Sequence, residues 1–364
     1  MDTFANRPVR LLPNRVRYLI PGGAMIDRFL GLAPGSCPGA SQMWVASVVQ
    51  SVLDHAPDTR SYIRAEDGGG CLAERLQAEP DAWMGNAHAA RFGASPGFLL
   101  KLLHSDQRLL VQVHPDKEKA MRYFGTPFGK TEAWYVLDTQ EAEPACVWVG
   151  FRPEVTRERF RELILRQDCP AILNCLHCFP VKAGDVVFIP AGLPHALGGG
   201  CLTAEIQEPT DLTLRAERFR PDGSELPWES LDSGIGMDAL LDCFDFSTAL
   251  PREEIHARCF VRPECNRVTG EEILIGPEQT DCFGLIKVEC GKEPRRRTND
   301  SFRVLLVEQG SVLLTAGQTA FALTRGEEVF VPSGVQEYSL TAQSDAAVVL
   351  ECVPPSGKPA ENTV

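Results

Sequence analysis

The chain has 364 residues, 44% of them hydrophobic, 13 cysteines and a formal net charge of −13. This is enough apolar material for two or three domains with separate cores. The acidic balance excludes a sequence-independent nucleic-acid binder, which needs a basic face, and no apolar run is long enough to span a membrane. Because the N-terminus lacks a signal-like segment, we expect a cytoplasmic protein with reduced thiols.

Short apolar or alternating segments recur between turn signals along the chain, and they predict an all-β fold. Residues 154–167 are the clearest exception, because their apolar side chains recur at helical spacing after Thr156, a plausible cap. Weaker helical patterns occur in "DAWMGNAHAARFG" and "MDALLDCFDF". The strand-like segments are "QMWVASVVQSV", "RLLVQVHP", "AWYVL", "ACVWVGF", "DVVFIPAG", "CLTAEIQ", "FGLIKVEC", "SFRVLLVEQGSVLLT", "TAFALTRGEEVFVPSG" and "AAVVLECV".

The tightest group of cysteines is Cys169, Cys175 and Cys178, with His177 among them. A single C-x-x-C without a second pair at zinc-finger distance is weak evidence for a metal site. The spacing favours buried or half-exposed thiols over a structural zinc.

One fifteen-residue segment occurs twice. "AGDVVFIPAGLPHAL" (183–197) and "RGEEVFVPSGVQEYS" (325–339) share Gly, Pro and Gly at the same offsets, but the first has His195 where the second has Glu337. Both copies predict a strand, a turn and a second strand. Self-similarity over this distance indicates two homologous domains. The spacing resembles the second signature of the cupin superfamily, which implies a bicupin of two antiparallel jelly-roll domains with a few short helices.

The first copy also has metal-ligand candidates upstream. Gln112 and His114, two residues apart in "LLVQVHPD", would project from the same face of a strand. Glu132 opens the next predicted strand, and His195 adds a fourth donor. This mixed oxygen and nitrogen set suits one divalent ion, and zinc, manganese, iron or cobalt could all accept these donors.

Four segments, in order, resemble the type I mannose-6-phosphate isomerase family, which consists of zinc-dependent bicupins. They are "VQVHPD" (111–116), "GKTEAWYVL" (129–137), "GDVVFIPAGLPHAL" (184–197) and "AEIQEPTDLTLR" (204–215). The resemblance is clear over about residues 95 to 215, partial before them and weak in the C-terminal copy. It implies Gln112, His114, Glu132 and His195 as metal ligands.

The same resemblance implies three further site residues: Glu205 as the carboxylate that moves the proton, Arg215 as an active-site arginine and Lys130 as a substrate-binding lysine. The implied reaction interconverts mannose 6-phosphate and fructose 6-phosphate through a cis-enediol, with a small sugar phosphate as the partner.

The chain departs from the family pattern around the expected phosphate site. Leu110 stands where the family has a serine, "AERFR" follows Arg215, and "SQMWVAS" lacks an acidic residue before its tryptophan. Metal binding is therefore better supported than the identity of the sugar. Two alternatives stay open: an isomerase or epimerase for another, possibly unphosphorylated sugar, and a metal-containing cupin that binds sugars without catalysis. Retained Glu205 and Arg215 count against the last.

The predicted organisation is a catalytic cupin domain at 1–220, a linker with a short helix at 221–265, a C-terminal cupin domain at 266–352 and a flexible tail at 353–364. The C-terminal domain is expected to bind no metal, because Glu337 replaces the histidine and "FRVLLVEQG" provides no Q-x-H motif.

Overall fold

Antiparallel strands dominate the structure, as the sequence predicts. The computed structural model describes residues 3–18, 20–51, 58–140, 145–266, 268–291 and 295–356. The strands of the first half are β1 (Val9–Arg10), β2 (Arg15–Val16), β3 (Gln42–Val45), β4 (Leu99–His104), β5 (Gln112–Val113), β6 (Glu132–Thr139), β7 (Cys146–Phe151), β8 (Leu176–Pro180), β9 (Val186–Ile189), β10 (His195–Leu197), β11 (Cys201–Gln207) and β12 (Leu214–Arg215).

The strands of the second half are β13 (Phe260–Val261), β14 (Glu264–Asn266), β15 (Glu271–Ile275), β16 (Gly284–Glu289), β17 (Arg295–Arg297), β18 (Arg303–Gln309), β19 (Ser311–Ala316), β20 (Thr319–Thr324), β21 (Glu328–Val331), β22 (Glu337–Ala342) and β23 (Val348–Val353). The predicted tail thus begins on the last residue of β23, and its residues 357–364 lie outside the described ones.

The helices are short. They are α1 (Ala24–Phe29), α2 (Leu72–Ala78), α3 (Pro80–Met84), α4 (Asn86–Phe92), α5 (Lys117–Phe124), α6 (Arg157–Arg166), α7 (Cys169–Asn174), α8 (Glu229–Asp232), α9 (Met237–Cys243) and α10 (Arg252–Cys259). The sequence-based prediction of α6 is confirmed, including its cap, because the Thr156 hydroxyl accepts a hydrogen bond from the Arg159 N–H. Among the described residues, no helix is long and apolar enough to cross a membrane.

Four sheets stack in the order of five, seven, seven and four strands. The strand orders are β12-β5-β10-β7-β8, β13-β9-β6-β11-β4-β3-β2, β1-β21-β18-β23-β16-β15-β14 and β17-β22-β19-β20. The two seven-stranded sheets share one core, in which Met43, Leu100 and Ala204 meet Leu306 and Phe330. A second core lies between the two sheets of the first half, and another lies between those of the second half.

β1 and β13 each pair with a sheet of the other half of the chain. β1 pairs with β21, so the beginning of the chain is an edge strand of a C-terminal sheet. The segment predicted as a linker contains three helices, α8 to α10, and β13 pairs with β9 of the first half. Apolar side chains of these helices, among them Leu240 and Ile255, are buried in cores of the first half. This segment therefore packs as part of the first half.

A buried carboxyl group crosses the contact between the halves. Glu328 in β21 is fully buried, and its Oε2 accepts a hydrogen bond of 2.7 Å from the Ala46 N–H. Burial raises the pKa of Glu328 to about 8, partly offset by that bond and by Arg64. The folded protein therefore keeps a proton that the unfolded chain releases near pH 4.5.

We expect this proton to make folding pH-dependent. The contribution of Glu328 to stability is complete below about pH 4.5 and is lost as the pH rises towards 8, because the native state then binds more protons than the unfolded state. Glu328→Gln should remove this slope and increase the free energy of unfolding at pH 8 by roughly 2 to 4 kcal/mol. Urea titrations of both proteins between pH 5 and 8 would measure this. Parallel pH profiles would contradict it.

Candidate metal centre and substrate cavity

The predicted metal ligands meet at one end of the space between the sheets of the first half. His195 begins β10 and is paired in register with Gln112 of β5, while Glu132 begins β6 on the facing sheet. His114 follows β5 directly. His114, Glu132 and His195 are buried, and each offers a ligand atom within 4.8 Å of the others.

Hydrogen bonds to the backbone set the orientation of both imidazoles. Nδ1 of His114 lies 2.8 Å from the Leu212 carbonyl oxygen, and Nδ1 of His195 lies 2.8 Å from that of Leu193. Because a carbonyl oxygen only accepts, each Nδ1 carries the proton and donates it. Each Nε2 therefore turns a lone pair towards the cluster, as metal-binding histidines require.

Glu132 supplies the anionic donor. Its Oε2 lies 3.2 Å from Nε2 of His114, and its Oε1 lies 3.4 Å from Nε2 of His195. Although burial opposes ionisation, the charge of the Lys130 ammonium holds the pKa of Glu132 well below its usual range. Burial, reinforced by Lys130, lowers the pKa of His114 to about 3. The cluster is thus one carboxylate with two neutral imidazoles.

Two features show that these donors fit a cation. Among the described residues, Oε1 of Glu132 is a buried oxygen without a hydrogen-bond partner. The Lys130 ammonium already lies among the lone pairs, with Nζ 2.7 Å from Nε2 of His114 and in close contact with Oε2 of Glu132. Two histidines and a carboxylate are a usual ligand set for a catalytic zinc. His114, Glu132 and His195 form a metal-binding site.

Gln112 is placed beside this site. Its side-chain amide nitrogen lies 3.1 Å from Nε2 of His195, and the amide orientation is assigned from this contact. A rotation of the amide would turn its oxygen towards the cluster. The geometry is compatible with the fourth donor predicted from the sequence.

Gln112 and Lys130, which contact the metal site, also line a neighbouring cavity, and this cavity contains the other predicted site residues Glu205 and Arg215. Glu205 is buried, and its Oε1 lies 3.9 Å from Nζ of Lys130. Burial and then Glu132 raise the pKa of Glu205, while Lys130 and Lys101 act in the opposite direction. Arg215 is fixed by hydrogen bonds from its guanidinium to the Thr213 and Ser230 carbonyl oxygens.

Sequence reasoning did not identify Lys101 and Asp211, which lie in the same cavity. Nζ of Lys101 is 3.6 Å from Oε1 of Glu205, 3.7 Å from Oδ1 of Asp211 and 4.9 Å from the centre of the Trp44 ring. A lysine inside the apolar strand "FLLKLL" was the available signal, since a buried ammonium needs a charged partner.

The departures from the family pattern also line the cavity. Leu110 contributes an apolar wall that is 8% exposed, and Gln42 uses its side-chain oxygen to accept a hydrogen bond from the Trp44 indole. Arg220 stands at the same wall, where its guanidinium donates to the Ser224 hydroxyl. Among the described residues, no carboxylate forms an ion pair with Arg220.

The second copy of the repeat has charged side chains in corresponding places. Glu337 of β22 is paired in register with Arg297 of β17, as His195 is with Gln112. Deeper in that half, Glu351 accepts hydrogen bonds from Arg296 and Arg303, and Arg303 begins β18 as Glu132 begins β6. The residues described after Phe260 contain no cluster of metal-ligating side chains.

The cysteine group near α7 does not form such a cluster either within the described residues. Cys169, Cys175 and Cys178 are free thiols, and burial raises the pKa of Cys175 to about 11. Nε2 of His177 is instead bonded to the Leu250 carbonyl oxygen.

Sequence comparison with known proteins finds relatives named as mannose-6-phosphate isomerases. The family model "Mannose-6-phosphate isomerase, cupin domain" matches residues 273–351, in the half where the sequence resemblance is weaker. The mannose-6-phosphate isomerase of Streptococcus mutans is 26% identical over 269 residues, covering 74% of this chain and 77% of that protein. For ManA of Bacillus subtilis the identity is again 26% over 269 residues, and the coverages are 72% and 78%.

Solved structures of mannose 6-phosphate isomerases have the same fold as this chain. The mannose 6-phosphate isomerase of Bacillus subtilis superposes with a TM-score of 0.70 at 21% identity, covering 95% of this chain and 99% of that one. A zinc-bound mannose 6-phosphate isomerase superposes with a TM-score of 0.73 at 16% identity, covering 96% and 100%.

The fold and the site together define a cupin protein with a buried metal-binding centre. The resemblance predicted from the sequence is confirmed: this chain is similar to the mannose-6-phosphate isomerases over most of its length.

Proposed function

We propose that this protein is a zinc-dependent isomerase that interconverts mannose 6-phosphate and fructose 6-phosphate through a cis-enediol. The observation that carries the proposal is the cluster of the His114, Glu132 and His195 donors beside a cavity that contains the buried carboxyl group of Glu205. The names of the sequence relatives and the zinc-bound structural neighbour support it. We also propose that the two pairs of sheets are the two jelly rolls of a bicupin.

The residues of the cavity have distinct proposed roles. Gln112 would join the three donors as the fourth ligand, and a bound divalent ion would supply Lewis-acid polarisation of the sugar oxygens. Glu205 would take the proton from one carbon and return it to its neighbour. Its raised pKa suits this exchange, because a base works best when its pKa approaches the working pH. Lys101 and Asp211 would fix the Glu205 carboxylate in place.

Lys130 and Arg215 would bind the substrate. For the donors to accept a metal ion, the Lys130 ammonium has to turn into the cavity that it already lines, where it would contact sugar oxygens as a point charge. The Arg215 guanidinium is anchored on one side by two carbonyl oxygens, which leaves its remaining N–H groups for an anionic oxygen.

The phosphate would be bound by arginine instead of a serine hydroxyl. Leu110 removes the hydroxyl that the family places near the phosphate, and Arg220 lines the same cavity without an ion-pair partner among the described residues. A guanidinium can bind a phosphate through two parallel hydrogen bonds.

Arg220→Met should therefore raise KM for fructose 6-phosphate by about 10- to 100-fold and change kcat little, because a charged hydrogen bond contributes roughly 1.5 to 3 kcal/mol. Arg218→Met is the matched control, since Arg218 is paired with Glu225 and lies over the Trp228 ring. Steady-state kinetics of both variants measure the effect. Equal KM values for the two variants would contradict this role of Arg220.

One observation favours a second candidate. The apolar Leu110 wall would also suit an isomerase or epimerase whose sugar has no phosphate. The test is to incubate the zinc-loaded protein with fructose 6-phosphate in heavy water and to follow the C1 protons and products by NMR. Deuterium uptake with mannose 6-phosphate formation supports the proposal. Turnover of free fructose or mannose alone would favour the second candidate, and no turnover in either case would favour a sugar-binding cupin without catalysis.

A further inference from the structure

A fully buried carboxylate lies two residues beyond Arg215, in the segment that departs from the family pattern. Glu217 is 0% exposed, and its two oxygens accept hydrogen bonds of 2.8 and 2.9 Å from the guanidinium of Arg108. Oε2 of Glu217 also accepts a bond of 2.6 Å from the Val111 N–H. Arg108 in turn donates to the carbonyl oxygen of Leu109.

These bonds extend a very short strand pairing. β5 has two residues, and β12 pairs with it through Leu214 and Val113 and through Arg215 and Gln112. Beyond that pairing, the Ala216 N–H donates to the Val111 carbonyl oxygen at 2.8 Å. Both backbone groups of Val111 are therefore bonded to residues 216 and 217, and the second bond is made by the side chain of Glu217.

The residues held in this way belong to two parts of the site. Gln112, directly after Val111, lies against His195 at the metal centre. Arg215, two residues before Glu217, lines the substrate cavity. One carboxylate thus connects the strand of a metal donor, the strand of a substrate-binding arginine and the loop of Arg108, which lines the same cavity.

We infer that Glu217, clamped by Arg108, is a positioning residue that fixes the distance between Gln112 and Arg215. This inference rests on the proposed function, because it concerns how the metal and the substrate are held in a common frame. Among the described residues, the Glu217 carboxylate forms no hydrogen bond with the side chain of Gln112 or of Arg215. Its removal acts through the backbone of Val111 and leaves the Arg108 guanidinium without its carboxylate.

The chain contains a matched control for this arrangement. Asp67 is also buried, and it accepts bonds from the Arg10 backbone N–H at 2.9 Å and from the Arg10 guanidinium at 2.8 and 3.2 Å. Arg10 lies in β1, in a sheet of the C-terminal half. A buried carboxylate that binds a backbone N–H and a guanidinium therefore occurs beside the site, at Glu217, and away from it, at Asp67.

The experiment measures zinc binding without substrate, by competition with a fluorescent zinc chelator, for the unmodified protein, Glu217→Gln, Arg108→Lys and Asp67→Asn. Thermal unfolding of the metal-free proteins reports the structural cost of each change. Glu217→Gln keeps an acceptor for Val111 but loses one oxygen for Arg108. Arg108→Lys keeps the charge but loses the planar fork, so it tests the same clamp if Glu217→Gln does not fold.

Glu217→Gln and Arg108→Lys should weaken zinc binding by about tenfold or more, the range found for residues that orient metal ligands. Asp67→Asn should destabilise the protein comparably and leave the zinc affinity within about twofold of the unmodified protein, because the same contacts lie away from the metal. This inference would be overturned if Glu217→Gln and Arg108→Lys bound zinc as tightly as Asp67→Asn does. The proposed function would not be affected by that result. An unmodified protein that binds no zinc would overturn the proposed function, and this inference with it.

Discussion

His114→Ala is expected to remove zinc binding and to lower kcat/KM for fructose 6-phosphate by at least about a thousandfold. His114 offers a buried Nε2 lone pair that no neighbouring side chain can replace, and its Nδ1 is held by the Leu212 carbonyl oxygen. A metal-assisted step loses several kcal/mol of transition-state stabilisation without its ion, and each 1.36 kcal/mol is a factor of ten in rate.

Metal content after dialysis and steady-state kinetics measure this effect. His177→Ala is the matched control, because His177 is also buried, is also bonded to one backbone carbonyl oxygen and lies outside the cavity. It should keep one zinc ion per chain and nearly full activity. A zinc content in His114→Ala equal to that of His177→Ala would exclude His114 as a ligand.

Glu205→Gln is expected to separate proton transfer from metal binding. Glu205 lies in the cavity but outside the cluster of His114, Glu132 and His195, so the variant should keep its zinc. Its kcat should fall by roughly 10²- to 10⁴-fold, the usual contribution of a positioned general base, and deuterium uptake from heavy water should fall equally.

Glu328→Gln serves as the control for this change. It neutralises another buried glutamate with a raised pKa. Glu328 lies in β21, in the seven-stranded sheet of the second half, and outside the cavity. It should change stability and leave kcat unaltered. If Glu205→Gln retained kcat and deuterium exchange, another group would have to move the proton.

Much of the fold could be predicted because local patterns agree with it. Apolar alternation marks the strands, and the spacing around Thr156 marks α6. The repeat is confirmed as a structural unit, since β9 and β10 correspond to β21 and β22. The cluster of His114, Glu132 and His195 could be predicted because the segments that contain these residues resemble those of one family and occur in the same order.

The remaining features depend on contacts between distant segments. The strand "FLLKLL" indicates a buried lysine that needs a charged partner, but the partners of Lys101, Glu205 and Asp211, lie more than a hundred residues away in the sequence. The segment "FRVLLVEQG" has no Q-x-H motif, but the strand partner of Glu337 is Arg297 of β17, which precedes that segment, because strand pairing and not sequence distance determines the partner. The role of Glu217 is not visible in "AERFR", because the three hydrogen bonds that it accepts come from residues 108 and 111.

The position of β1 has a consequence for how the protein is made. Val9 is synthesised more than three hundred residues before its strand partner Phe330. At about 5 to 20 residues per second, strand β1 waits on the order of 15 to 60 seconds for its place in a sheet. A contact that closes so long a loop is slow to form. The segment around β1 would therefore stay exposed to chaperones and proteases during synthesis.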